Sequence, residues 1–206
     1  MPRPARFDQE AILAATLRVV AAHGPKRVTI DAVAAEMGGH VGSIYYRFPT
    51  KDHLMAQLWM RCARSGHAGM TAALRAGDLD EALDRAVLHY PRWSREDLAA
   101  AQVLAAYGRE QITPDSPDEL GAELATINDD LIDAVADFTA RWFTRDGTQV
   151  SSIQRRAMTF VLLDLPSSAI RRYLIAGKPP PRSLDPAIWA AARAALREAG
   201  PPGTST

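Results

Sequence analysis

What this sequence lacks narrows its possibilities first. It has one cysteine, Cys62, in 206 residues. No disulfide framework can form within the chain, and a reducing compartment suits it. Long apolar runs are missing too. The longest, Met158 to Leu165, contains Thr159 and Asp164 and falls well short of the ~20 residues that a membrane-spanning helix needs. The opening residues MPRPARFDQE hold no apolar signal-peptide core. A cytoplasmic chain without membrane association is the expectation.

Excess charge of either sign is also absent, since 24 Lys and Arg balance 24 Asp and Glu. Bulk charge therefore neither marks nor excludes a polyanionic partner. Its distribution is less even. Up to Lys51 there are seven bases (Arg3, Arg6, Arg18, Lys26, Arg27, Arg47, Lys51) and four acids (Asp8, Glu10, Asp31, Glu36). A modestly basic head on an acidic remainder suits DNA at one end only. Catalytic motifs are missing: there is no HExxH, CxxC, GxSxG or phosphate-cradling glycine loop. His23, His40, His53, His67 and His89 are scattered. Cys62 and His67, five residues apart on one helix, are poorly placed as nucleophile and base, and a buried, inert thiol is the better reading. Catalytic residues, metal ligands and cofactors are not expected, and a small helical enzyme has no support.

What is present is helical periodicity. With 47% apolar and 23% charged residues, the chain has the composition of a globular protein of one or two compact units. No strand pattern or repeat interrupts it. Phe7 to His23 carries Ile12, Leu13, Thr16, Leu17 and Val20 on one face, and Gly24-Pro25 ends it. The informative stretch follows, VTIDAVAAEMGGHVGSIYYRFPTKDHL over 28–54. It reads as two short helices joined by a glycine turn, then the start of a third. In the second of them Val41, Ile44, Tyr45 and Phe48 fall at i, i+3, i+4 and i+7 and point into a core. The opposite face carries Gly42, Ser43, Tyr46 and Arg47, with His40 at its entry. This is a helix-turn-helix whose second helix has the size to enter a DNA major groove.

The segment resembles the DNA-binding domain of the TetR family of bacterial transcriptional regulators. The resemblance rests on Thr29, Val33-Ala34, Gly38, Gly42-Ser43-Ile44-Tyr45, Phe48, Thr50-Lys51-Asp52 and Leu54, and covers about residues 6–58. One position departs from the family pattern: Gly39 stands where an apolar residue is usual, and two adjacent glycines make a looser turn. The resemblance implies double-stranded operator DNA as partner, with contacts from Thr29, His40, Val41, Gly42, Ser43, Tyr45, Tyr46, Arg47 and Lys51. Thr29 sits where a helix cap is wanted, and in the family the residue here also contacts a phosphate. Lys51 beside a helix start runs against the dipole preference unless an anion is close, and a phosphate supplies one. Tyr46 can stack on sugar, Arg47 can reach a guanine or a phosphate, and Val41 can touch a thymine methyl.

A fourth helix is expected from about Lys51 to Ala76, with Gly66 and Gly69 as candidate bend points. Further helices are expected from Leu79 to His89, closed by Pro91, and from Ser94 to Arg109, with Ser94 and Asp97 in capping-box spacing. A loop with Pro114 and Pro117 follows. Ser116-Pro117-Asp118-Glu119 then opens a helix carrying Leu120, Leu124, Ile127, Leu131, Val135, Phe138 and Trp142, which Arg145-Asp146-Gly147 breaks. A long apolar helix from Ser151 to Ala176 is expected to bend at Pro166. A last helix starts at Asp185-Pro186, and the tail frays from Gly200. Ile153, Ala157, Phe160, Val161 and Leu163 wrap most of their helix, so several of its faces need cover.

The expected fold is all-α. An N-terminal three-helix helix-turn-helix domain (6–66) is joined by a long fourth helix to an α-helical ligand-binding and dimerisation domain (67–200). The resemblance implies a homodimer through the last two helices and a small-molecule effector held among the middle ones. Trp59, Tyr90, Trp93, Tyr107, Phe138, Trp142 and Phe160 are the candidate lining, although aromatics at helical spacing are usually core. From Gln111 to Ala140 there are eight acids and no Lys or Arg, which read as a solvated face rather than a cation site. The expected function is a repressor released from its operator by a ligand. A helical interaction module with a vestigial DNA-binding head is the alternative.

Overall fold

The computed structural model describes residues 8–112, 119–144 and 149–200. These residues are all-α, as expected. The proline loop, the cap expected at Ser116-Pro117-Asp118-Glu119, the break at Arg145-Asp146-Gly147 and the tail beyond Gly200 lie outside what is described. The contacts gather into two compact units, one of residues 1–64 with 97–127 and one of 65–96 with 128–206.

In the first unit, α1 (Gln9–His23) is capped by the Asp8 carboxylate, which accepts from Ala11 N. Gly24, at φ 82°, turns the chain into a 3-10 turn, Pro25–Arg27. Thr29 caps α2 (Ile30–Met37) by accepting from Ala32 N. The double-glycine turn is not loose. Gly38 adopts the left-handed conformation (φ 59°, ψ 34°). Its N–H donates to Ala35 O, and Gly39 N–H donates to Ala34 O. This pair of bonds closes a Schellman-type C-terminus, and only Gly38 needs the positive φ. α3 is short, Val41–Tyr45, and begins after an extended His40. Ile44 and Phe48 are wholly buried. Tyr45 is 48% exposed, so it does not join them in the core. α1 packs on α2 and, from later in the chain, on α7 (Leu98–Ala106), which also touches the 25–27 turn. α8 (Arg109–Ile112) and α9 (Glu119–Thr126) complete this unit.

Helix α4 runs unbroken from Lys51 to Leu74, roughly 36 Å at ~1.5 Å per residue. It ends two residues earlier than expected, and Arg141 reaches back from α10 (Asp129–Phe143) to cap that end, donating to Leu74 O and Ala76 O. Those last carbonyls would otherwise have no partner. Gly66 and Gly69 serve close approach rather than a break. A methyl at 66 would press on the Trp93 ring, and one at 69 would collide with the His89 ring. Cys62 is buried, and burial, reinforced by Asp97, pushes its thiol up to about 12, which makes it unreactive.

Further helix boundaries differ from the sequence expectation. Pro91 does not close a helix: α5 (Leu79–Val87) ends first, and Pro91 lies in the first turn of α6 (His89–Glu96), where a missing N–H costs little. Ser94 is therefore inside α6, donating to Tyr90 O, and Asp97 alone caps α7 by accepting from Ala100 N. The stripe from Leu120 to Trp142 is split at 127–128 into α9 and α10. The last expected bend is a change of helix type. α11 (Ser152–Thr159), opened by a Ser151–Gln154 capping box, passes into a π turn, Phe160–Asp164, and then α12 (Leu165–Ile175). Leu165 N–H reaches Phe160 O, five residues back. The wider turn falls just before Pro166, whose ring would crowd an ordinary α-turn.

In the second unit α13 (Asp185–Glu198) lies against α5 and α12. Arg95 of α6 grips Asp185 at the start of α13 through two parallel bonds, Nη1–Oδ1 3.0 Å and Nη2–Oδ2 2.7 Å. Both side chains are less than one-fifth exposed. Loss of one partner strands the other, so Arg95→Ala should lower the unfolding free energy by about 2–4 kcal/mol, measured by urea denaturation. His89 packs on Gly69 with Nε2 2.7 Å from Gly66 O. Burial lowers its pKa below the ordinary 6.5. The folded form then holds fewer protons than the unfolded chain just beneath that value. Its contribution to stability is complete above pH 6.5 and is lost as pH falls through it. Unfolding free energy measured from pH 7.5 to 5.5 should decline, and His89→Gln should remove part of that decline.

Candidate nucleic-acid interface

The candidate surface is set by what α3 buries. Ile44 and Phe48 fill the core of the first unit, and the ring of Phe48 meets His53 edge-on at 6.1 Å. With that side fixed, helical spacing turns Gly42, Ser43 and Tyr46 outward. Tyr46 is 86% exposed, the highest value among the exposed large hydrophobic side chains of the described residues. Nothing lies within 4 Å of where a side chain at Gly42 would begin, so another molecule's backbone can approach there closely. Val41, Ser43 and Arg47 are half-buried, and His40 stands exposed at the helix entry without a side-chain capping bond.

Two flanking helix starts add to this surface. Thr29, exposed, uses its oxygen on Ala32 N at 3.1 Å and keeps its hydroxyl proton for an outside acceptor. Thr50 caps α4 by accepting from His53 N at 3.0 Å, and Lys51 follows it, exposed in the first turn. A lysine on the positive end of a helix dipole is an anion-seeking arrangement. The sequence reading named each of these residues. It passed over the 25–27 turn as a site, where Lys26 and Arg27 project into solvent between Gly24 and the buried Val28. A basic pair directly ahead of Thr29 was the available signal.

Ion pairs hold this frame from behind. Arg18 of α1 meets Glu36 of α2 at 2.6 Å, and Arg61 of α4 meets Glu10 of α1 at 3.2 Å. All four side chains are substantially exposed, so they align the helices more than they stabilise them.

The seven aromatics expected to line an effector pocket are divided between the two units. Trp59 and Tyr107 belong to the first unit, where Trp59 Nε1 donates to Tyr107 O at 2.9 Å. In the second unit Tyr90 contacts His89 and Trp93 ring to ring. Burial holds the Tyr90 hydroxyl well above its usual value. Phe138 is wholly buried, its ring 5.9 Å from Trp142 and under the Arg141 guanidinium. Phe160 is 44% exposed. Trp93 lines a cleft of about 360 Å³ in the second unit, together with Gly69, Ala72, Arg85, His89, Arg92 and Glu96. Among the described residues no cluster of His, Cys, Asp or Glu could hold a metal ion. No described helix is long and apolar enough to cross a membrane.

Comparison with known proteins points the same way as α3. Residues 12–58 match the model for bacterial regulatory proteins of the tetR family. No curated protein matches the chain. Among solved structures it is similar to a bacterial regulatory protein of the tetR family from Rhodococcus, at 22% identity and a TM-score of 0.64, over 93% of this chain and 96% of that one. It is also similar to PfmR, a TetR family transcriptional regulator from Thermus thermophilus, at 17% identity and a TM-score of 0.63, over 90% and 97%. FadR from Bacillus subtilis, solved in complex with stearoyl-CoA, gives 14% identity and a TM-score of 0.62, over 93% and 97%. At these identities the likenesses speak for the fold.

Proposed function

From its tetR-family segment, residues 12–58, and its TetR-regulator fold, we propose that this chain is a homodimeric repressor that binds operator DNA and leaves it when a small-molecule effector binds. The observation that carries the DNA reading is the phase of α3: Ile44 and Phe48 wholly buried on one side, Tyr46 86% exposed on the other. Thr29, His40, Val41, Gly42, Ser43, Tyr45, Tyr46, Arg47 and Lys51 form the proposed contact set. Thr29, Tyr45, Tyr46 and Lys51 are assigned to the phosphate backbone, and the tip of α3 to base edges. Lys26 and Arg27 add positive charge beside them. The functional division is taken at 66, with the head in 6–66 and the effector and dimer functions in 67–200.

The dimer reading rests on apolar surface left uncovered in the single chain. Ile153 is 65% and Phe160 44% exposed on the α11–π–α12 rod, and Ile175 and Trp189 are also exposed. Symmetric pairing of this rod with α13 would cover them, and a two-fold dimer matches a two-fold operator. Release follows from linkage: an effector that prefers a body state unsuited to DNA weakens DNA binding, and DNA weakens effector binding by the same factor. The alternative of a vestigial head drew on a loose double-glycine turn, and that turn is closed by two hydrogen bonds.

Two tests separate the parts of this reading. With DNA that the protein enriches from genomic fragments, Lys51→Ala should reduce the dependence of log affinity on log salt by about one charge. Tyr46→Ala should weaken binding by roughly tenfold. Anisotropy titrations across a salt series read both, and unchanged binding in both variants would remove the DNA reading. Phe160→Asp should shift the protein from dimer to monomer in sedimentation equilibrium; an unchanged mass would remove this interface.

A further inference from the structure

The strongest unexplained feature lies behind the DNA-facing surface, where α7 closes on the head. Its residues Ala100, Ala101, Gln102 and Val103 are buried, and it packs on α1 and on the 25–27 turn. At its end Tyr107 makes two long-range bonds. Its carbonyl accepts from Trp59 Nε1 of α4 at 2.9 Å. Its hydroxyl donates to Pro25 O at 3.2 Å. Residues 82 positions apart are thus joined by a side chain. The turn so held is short and consequential: Lys26 and Arg27 project from it, and Thr29 caps α2 two residues on. α2 in turn leads through the Gly38 turn to α3.

We propose that Tyr107 is a positioning residue for DNA binding: by tying the Pro25 carbonyl to the end of α7 it fixes the turn that presents Lys26, Arg27 and Thr29, and so makes α7 part of what sets the head's binding geometry. This rests on the reading of the head as a DNA-binding surface. The hydroxyl is suited to the task. Burial, with the Asp52 carboxylate beside it, raises its pKa, so it stays a protonated donor at neutral pH. The Trp59 bond is made by the backbone carbonyl and survives loss of the hydroxyl, so Tyr107→Phe removes only the link to Pro25. An isolated head ending at 66 would lack both α7 and this link.

The test uses the full chain and DNA fragments that the wild-type protein selects from a random-sequence pool. Affinity for selected DNA and for unrelated DNA is measured by anisotropy, beside the melting temperature and amide hydrogen exchange over residues 25–30. Tyr107→Phe should lose about threefold to tenfold in affinity for selected DNA, the scale of one hydrogen bond. Its affinity for unrelated DNA should fall less, since there phosphate contacts need no fixed register, and exchange at the turn should quicken. Trp59→Phe should cause a loss in the same sense. If Tyr107→Phe binds as wild type while Tyr46→Ala is weakened, the positioning role is wrong and the DNA reading stands. Equal loss for both DNAs with a lowered melting temperature would make Tyr107 merely stabilising and overturn the proposal. Failure of the wild type to select any sequence would remove the DNA reading and this inference with it.

Discussion

The burial of Ile44 and Phe48 is the constraint on which the candidate site depends. Both are wholly inaccessible, and each represents about 1.5–3 kcal/mol of burial. A five-residue helix has little stability of its own. α3 exists because these anchors, together with the turn at Gly38, hold it. A rotation of one residue, about 100° on a helix, would expose Ile44 and turn Ser43 or Tyr45 inward in its place. The phase of the outward face is therefore an outcome of core packing, and the chemistry of that face is free to vary with the partner.

Much of this was legible in the chain because it is local. Thr29, Thr50 and Asp185-Pro186 sit at helix starts as their side chains predict, and Gly24 with Pro25 ends α1. Pro91 misled because the same residue that stops a helix is tolerated in a first turn. The π turn at 160–164 left no trace because one extra residue per turn barely alters an apolar pattern that covers most of the helix. Gly39 looked like looseness, yet the turn needs φ > 0 only at Gly38.

The long-range features were not legible. Nothing in the spacing of Trp59 and Tyr107, or of Arg141 and Leu74, announces that they meet. Aromatic residues gave the least: sequence cannot separate a ring that fills a core, such as Phe138, from one left at a surface, such as Phe160. The same ambiguity makes the exposed apolar side chains of the last helices informative once seen. Ile153 and Phe160 sit on a rod whose other side, at Met158, Val161 and Leu162, is fully buried. A helix apolar on both sides is suited to cover on both.

The central claim, that the outward face of α3 reads operator DNA as one half of a symmetric pair, is tested most directly by sequencing genomic fragments retained by the full-length protein under excess competitor DNA. The account predicts enrichment of an inverted repeat whose half-sites lie about one or more helical turns apart, protected by an even number of subunits. Retention without any shared sequence, or of single half-sites bound by monomers, would contradict it.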